Sequence, residues 1–179
     1  MRIGISGPHG TGKTTLAEEL CARLDGHRPV DEPYVLLEEE GYEFEYPPSP
    51  DDYRIQLRKS LAALCAPATR VVFDRTPLDF IAYLAVLGVD VEGESNMSAL
   101  RSALASLDLL VILPITSEVE RFLPLGELPR LQAAVNDSLL DLVYADPLRI
   151  CENLPVIELT GPLNGRSDAV LAALRSHPE

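Results

Sequence analysis

The segment Gly7-Pro8-His9-Gly10-Thr11-Gly12-Lys13-Thr14 constrains this chain more than any other part of its sequence. It fits the spacing G-x-x-x-x-G-K-[ST], and it lies between an apolar run at residues 2–6 and the leucine stripe of a predicted helix. Glycine weakens regular structure, but it lets backbone N–H groups turn inward around an anion. A helix N-terminus adds partial positive charge. The segment therefore predicts a site for the phosphates of a nucleoside triphosphate.

The polar side chains of this loop have separate expected tasks. Lys13 is expected to reach the outer phosphates, and the Thr14 hydroxyl is expected to bind Mg²⁺. The chain has no guanine-specific Asn-Lys-x-Asp sequence, so we expect ATP to be the nucleotide. The residues predicted to contact ATP are Gly7, His9, Gly10, Thr11, Gly12, Lys13, Thr14 and Thr15.

Apolar strands alternate with amphipathic helices along the chain, and this order predicts a mostly parallel sheet with helices on both faces. We therefore expect a three-layer α/β/α fold with a five-stranded sheet, in a single domain that covers residues 1–179. The expected strands lie at residues 2–6, 30–34, 70–73, 107–114 and 154–159. The expected helices lie at residues 13–24, 50–66, 77–87, 97–107, 131–142 and 168–175.

An Asp-Arg pair follows the third predicted strand, at the sheet edge where such folds bind ligands. Asp74 is placed to hold the magnesium shell, directly or through water. Arg75 can meet a phosphate with its rigid donor fork. A surface ion pair that caps a helix is the alternative explanation.

The glycine-rich loop and the Asp74-Arg75 pair together resemble the P-loop nucleoside and nucleotide kinase superfamily, which includes deoxynucleoside kinases and thymidylate kinases. The order of elements is similar over nearly the whole chain. The resemblance implies a P-loop NTPase fold and an AAA-family ATP-binding protein that phosphorylates a hydroxyl or a phosphate of a small molecule. It also implies that Asp74 and Arg75 lie between the phosphate donor and the acceptor.

The segment Asp31-Glu32-Pro33-Tyr34 resembles the Glu-Pro that follows the second strand of deoxynucleoside kinases. The resemblance selects Glu32 as the base that accepts the proton of the attacking hydroxyl. Adjacent strand residues face opposite sides, so Asp31 is expected to point away from the site. An ordinary solvated turn is the alternative for this segment.

Two later segments also take their expected roles from the resemblance. A short lid at about residues 116–131 would bring Arg121 or Arg130 over the transferring phosphoryl group, although a solvated face explains these arginines equally well. After the fifth strand, Gly161 would lie beside adenine and Arg166 could stack on it. An ordinary turn between strand and helix is the alternative there.

The acceptor is expected to bind at about residues 32–66. Aromatic side chains are frequent in and just after this segment, and their faces suit a base or another flat ring. An acidic run at residues 38–45 would favour a cationic acceptor, or it is simply a solvated face. Nucleoside, nucleotide and antibiotic all remain open as acceptors. The aromatic residues are Tyr34, Tyr42, Phe44, Tyr46, Tyr53, Phe80 and Tyr83.

Composition excludes some classes of function. The net charge of −13 argues against a surface that binds nucleic acid irrespective of sequence. No apolar run is long enough for a membrane span, and the N-terminus has no signal-peptide pattern, so we expect a cytoplasmic protein. The three cysteines are expected to be small core residues, and a homodimer is left open. The alternative to a kinase is a regulatory switch or ATPase that has no small-molecule acceptor.

Overall fold

The computed structural model describes residues 1–94, 96–116 and 129–176. Five parallel strands form one sheet in the order β2-β3-β1-β4-β5. The predicted strand count is confirmed, and the sheet is parallel throughout. The strands are β1 (Arg2–Ser6), β2 (Arg28–Val30), β3 (Val71–Asp74), β4 (Leu109–Ile112) and β5 (Val156–Glu158).

Helices cover both faces of the sheet, which confirms the three-layer α/β/α architecture. Within the described ranges there are eight helices. They are α1 (Lys13–Arg23), α2 (Pro33–Glu39), α3 (Pro50–Cys65), α4 (Pro77–Val86), α5 (Val91–Glu94), α6 (Met97–Leu104), α7 (Pro129–Tyr144) and α8 (Leu163–Ser176). None of the described helices is long and apolar enough to cross a membrane.

The core has one apolar layer on each side of the sheet. Ile3 and Ile5 of β1 pack with α1 and α8, whereas Val71 and Phe73 of β3 face the larger layer formed by α3, α4, α6 and α7. Burial of this much apolar surface is the main stabilising contribution to such a fold. β3, β1 and β4 are the most buried strands and lie at the centre of the sheet. They fix the position of the loops that follow β1 and β3.

Two predicted helix starts are confirmed by their caps. Ser49 precedes α3 and accepts a hydrogen bond from the Asp52 N–H, and Thr76 precedes α4 and accepts one from the Leu78 N–H. Each helix then begins with a proline, whose missing N–H costs nothing in the first turn. The capping box of α4 includes Asp79, three residues after Thr76.

The second predicted strand is wrong in its position. β2 ends at Val30, and Glu32 is the residue before α2 rather than a strand residue. Pro33 starts this helix because its fixed backbone angle suits the first helical position. The alternation argument for Asp31 and Glu32 therefore does not apply, although Asp31 is exposed and Glu32 is partly buried.

Smaller corrections concern the C-terminal helix and the cysteines. α8 begins at Leu163, five residues before its predicted start at residue 168, so Arg166 lies in a helix and not in a loop. Cys151 is buried and Cys21 is partly buried, but Cys65 is exposed and is not a core residue.

Candidate functional site

The glycine-rich loop joins β1 to α1, in the context that the sequence predicts. Gly7 is required by a close approach, because a Cβ atom there would lie 2.4 Å from the carbonyl oxygen of Leu113. Gly12 precedes α1 with φ of 86°, a left-handed conformation that glycine adopts without a steric penalty. The loop thus ends at a helix N-terminus, whose free N–H groups can bind phosphate.

Lys13 is the buried cation of this loop, with 5% of its surface exposed. Its Nζ donates a 2.8 Å hydrogen bond to the Pro8 carbonyl oxygen. Burial, together with the positive charge of Arg75, lowers the pKa of Lys13 to about 7. The ammonium group is therefore poorly stabilised until an anion reaches the loop.

Thr14 and Asp74 bring the loop and the end of β3 together. The Thr14 Oγ1 atom donates to Asp74 Oδ2 over 2.5 Å. Asp74 Oδ1 is buried and has no hydrogen-bond partner, and burial raises the pKa of this carboxyl group. A buried oxygen without a partner is costly unless a ligand satisfies it. One hydroxyl and one open carboxylate oxygen form a donor set that fits Mg²⁺, which prefers hard oxygen ligands.

Glu32 and Arg75 form an ion pair beside the glycine-rich loop, where Arg75 NH1 also donates to the Gly7 carbonyl oxygen. The Arg75 Nε atom donates to Glu32 Oε2 over 2.8 Å. Burial alone would raise the pKa of Glu32, but the guanidinium group more than offsets it, so the pKa lies below its ordinary value. Arg75 has φ of 74°, a strained conformation for a residue with a Cβ, and such strain persists only where the surroundings fix it.

Asp79 also belongs to this cluster, and sequence reasoning missed it. Its side chain is 1% exposed, and its Oδ1 atom accepts from the Gly7 N–H over 2.9 Å and from Arg75 over 3.3 Å. The signal in the sequence was the capping pattern Thr76-Pro77-Leu78-Asp79, which predicts a helix cap but not a contact with a distant loop.

Of the two arginines predicted to act from a lid, only Arg130 is among the described residues. Arg121 lies outside them. Arg130 is exposed in the first turn of α7. In the same helix, the Gln132 Nε2 atom donates to the His9 carbonyl oxygen over 3.3 Å. The helix therefore reaches the glycine-rich loop at residues 7–14, the phosphate loop. The role of either arginine stays a prediction.

Gly161 and Arg166, the two residues predicted on the adenine side, follow β5. Gly161 adopts φ of 84°, and Arg166 is buried, with NH1 donating to the Thr11 carbonyl oxygen over 2.7 Å. The Arg166 Nε atom is buried without a partner. The guanidinium group thus holds the backbone of the phosphate loop, and its stacking on a base stays a prediction.

The aromatic side chains form two separate stacks. Tyr34 lies against Phe44 with ring centroids 4.3 Å apart, and Tyr53 lies against Tyr83 with centroids 4.5 Å apart. Phe80 is buried in the core, so it is not available to a ligand. The Tyr34–Phe44 stack begins two residues after Glu32, which keeps this part of the aromatic set near the ion pair.

Solved structures share this fold at low sequence identity. Deoxyadenosine kinase from M. mycoides, with dCMP and dCDP bound, is 16% identical with a TM-score of 0.67, over 99% of this chain and 100% of that chain. NadR in complex with NAD and AMP-PNP is 20% identical with a TM-score of 0.66, over 98% of this chain and 48% of the other. Thymidylate kinase from Candida albicans is 14% identical with a TM-score of 0.65, over 98% of this chain and 91% of that chain.

These similarities confirm the predicted P-loop kinase fold. No curated protein sequence matches the chain significantly. A family model described as an AAA domain matches residues 2–123, which include the phosphate loop, Glu32 and the Asp74-Arg75 pair. The chain belongs to this AAA domain family.

Proposed function

We propose that the chain is an ATP-dependent phosphotransferase that moves the γ-phosphoryl group of ATP to a hydroxyl or a phosphate of a small molecule. Nucleosides and nucleotides are the foremost candidates for the acceptor. The observation that carries this proposal is the link from Thr14 through Asp74 to Arg75 and Glu32. Thr14 binds Asp74, the next residue is Arg75, and Arg75 binds Glu32. Donor-side and acceptor-side groups are therefore neighbours.

On the donor side, Lys13 would leave the Pro8 carbonyl oxygen and meet the outer phosphates of ATP. The backbone N–H groups of the loop and the N-terminus of α1 would bind the other phosphate oxygens. Thr14 and Asp74 would hold Mg²⁺, which when bound neutralises phosphate charge. Gly161 and Arg166 are proposed on the adenine side, and Arg121 and Arg130 as candidates to stabilise the transferring group from a lid at about residues 116–131.

On the acceptor side, Glu32 would orient the attacking hydroxyl and accept its proton. Its lowered pKa keeps the carboxylate ionised at neutral pH, so it can accept a hydrogen bond before any proton moves. Arg75 holds this carboxylate beside the path of the phosphoryl group. General base catalysis of this kind contributes about 10²- to 10⁴-fold in rate.

The acceptor class is supported by the aromatic side chains and by the fold. The proposed acceptor segment, about residues 32–66, carries Tyr34 and Phe44, whose stacked rings suit a flat ligand. The structures of similar fold include kinases named for deoxyadenosine and thymidylate. The family match identifies a domain and not a reaction, so the reaction and its acceptor belong to the proposal.

A screen of acceptors tests this function. Purified protein with Mg·ATP is incubated with nucleosides, nucleoside monophosphates and aminoglycosides, and ADP release is measured. A kinase should release ADP well above background with at least one acceptor, in equal amount to a phosphorylated product. ADP release that no acceptor changes would instead favour a regulatory ATPase or switch.

A further inference from the structure

Asp79 makes contacts that its place in a helix cap does not require. An aspartate at the third position of a helix normally returns one oxygen to the N–H of the cap residue. Asp79 Oδ2 does this, since it accepts from the Thr76 N–H over 3.0 Å. The second oxygen is free for another task, and in this protein it accepts from Gly7 and Arg75.

The contact with Gly7 fixes the start of the phosphate loop. Gly7 N lies 2.9 Å from Asp79 Oδ1, across 72 residues of sequence. A hydrogen bond from an N–H to a carboxylate is stronger than one between neutral groups, and burial strengthens it further. This N–H therefore holds the loop in place, while the later N–H groups of the loop remain for phosphate.

The contact with Arg75 ties the same carboxylate to the acceptor side. Arg75 NH1 lies 3.3 Å from Asp79 Oδ1, while the Nε atom of the same guanidinium group binds Glu32. Burial would lower the pKa of Arg75, but Asp79 and its other neighbours more than compensate and raise it. A buried carboxylate needs such a partner, and a buried guanidinium needs the carboxylate in return.

From these contacts we infer that Asp79 is a positioning residue that sets the first residue of the phosphate loop and Arg75 relative to each other. This inference rests on the proposed function, because it assumes that the phosphate loop binds ATP. Asp79 itself has no described contact with a reacting group. It acts through Gly7 on the donor side and through Arg75 on the acceptor side.

The chain offers a matched control in Asp52. It occupies the corresponding capping position of α3, is also 1% exposed, and accepts from the Ser49 N–H over 2.7 Å. Its side chain also accepts from the hydroxyl groups of Ser49 and Tyr42 and from the Glu45 N–H, and none of its described contacts reaches the phosphate loop. Asp52→Asn therefore removes a buried cap charge without disturbing Gly7.

The test measures the affinity for Mg·AMP-PNP by calorimetry, together with Tm, in the parent, Asp79→Asn and Asp52→Asn. We expect both variants to lose stability, whereas only Asp79→Asn weakens nucleotide binding, by about tenfold or more. Affinity within about twofold of the parent in Asp79→Asn would overturn the inference, as would an equal loss in both variants. Should Asp79→Asn not fold, Asp79→Ser, which keeps one oxygen for the cap, is measured against the same criteria.

Failure of the proposed function gives a different result. If the parent binds Mg·AMP-PNP but phosphorylates no acceptor, the kinase proposal fails while the comparison of Asp79 with Asp52 still decides the positioning role. If the parent binds no nucleotide, both proposals are overturned.

Discussion

Thr14 and Asp74 lie 60 positions apart in sequence and are joined by a hydrogen bond of 2.5 Å between Thr14 Oγ1 and Asp74 Oδ2. β1 and β3 are neighbours in the sheet, so the loop after β1 and the end of β3 meet at one edge. The contact leaves Asp74 Oδ1 without a partner in a buried position. The pair is therefore the part of the structure to which we assign the proposed Mg²⁺ site.

Asp74→Asn should reduce turnover on the order of a hundredfold at saturating magnesium. The substitution keeps the shape of the side chain but removes the charge that would attract Mg²⁺. Steady-state rates over a range of magnesium concentrations check this. Asp108→Asn is the control, because Asp108 lies directly before β4, at the edge of the parallel sheet opposite to the edge where Asp74 lies. An unchanged rate in Asp74→Asn would leave Asp74 without a role in metal binding.

Lys13→Ala and Thr14→Ala should each give a folded protein that has lost most of its affinity for Mg·ATP. Thr14 is exposed, and Lys13 places its ammonium group in the loop rather than in the apolar core. Circular dichroism checks the fold and calorimetry checks binding. Lys59→Ala removes a lysine that is paired with Glu40 and should bind nucleotide like the parent. Parent-like affinity in both loop variants would contradict the nucleotide site.

The affinity for ATP should fall as the pH rises from about pH 7 to about pH 9. Lys13 has a pKa of about 7 without ligand, so above that pH it is mostly neutral and must take up a proton to meet the phosphates. Calorimetry in buffers of different ionisation enthalpy measures this uptake. Lys13→Arg keeps the charge at every pH and should bind without proton uptake. Binding that takes up no proton in the parent above pH 7 would contradict the lowered pKa of Lys13.

The phosphate loop and the central strands could be predicted from sequence, because their signals are local. Gly7 to Thr14 form a complete spacing pattern, and β1 and β4 are apolar runs long enough to be recognised. β2 was misplaced because only three residues pair, and its side chains are mostly exposed. Its position depends on the backbone of β3, which no local pattern of hydrophobicity records.

The contacts around Glu32 and Arg75 could be predicted only in part. The family resemblance assigns separate roles to Glu32 and Arg75, but their direct ion pair is a tertiary contact between positions 43 apart. Asp79 had a visible capping pattern, yet its second oxygen binds a loop 72 positions away. Such contacts depend on the order in which the strands pair in the sheet, and local sequence patterns do not show that order.

Glu32→Gln should bind ATP normally and lose acceptor-dependent phosphoryl transfer by about 10²- to 10⁴-fold. Glutamine keeps the size of the side chain but cannot accept the proton. Asp31→Asn is the matched control, because Asp31 is the preceding residue and its side chain is exposed. Nucleotide affinity and product formation are compared in both variants. Loss of transfer in Asp31→Asn alone would mean that the wrong carboxylate has been chosen.

The fate of the γ-phosphoryl group tests the central claim most directly. Protein with γ-labelled Mg·ATP and an acceptor from the screen is sampled during turnover, and the label is separated into ATP, acceptor and free phosphate. A phosphotransferase should place the label on the acceptor in equal amount to the ADP formed, and Glu32→Gln should slow that transfer by about 10²- to 10⁴-fold. Label that appears only as free phosphate, at a rate no acceptor changes, would contradict the account.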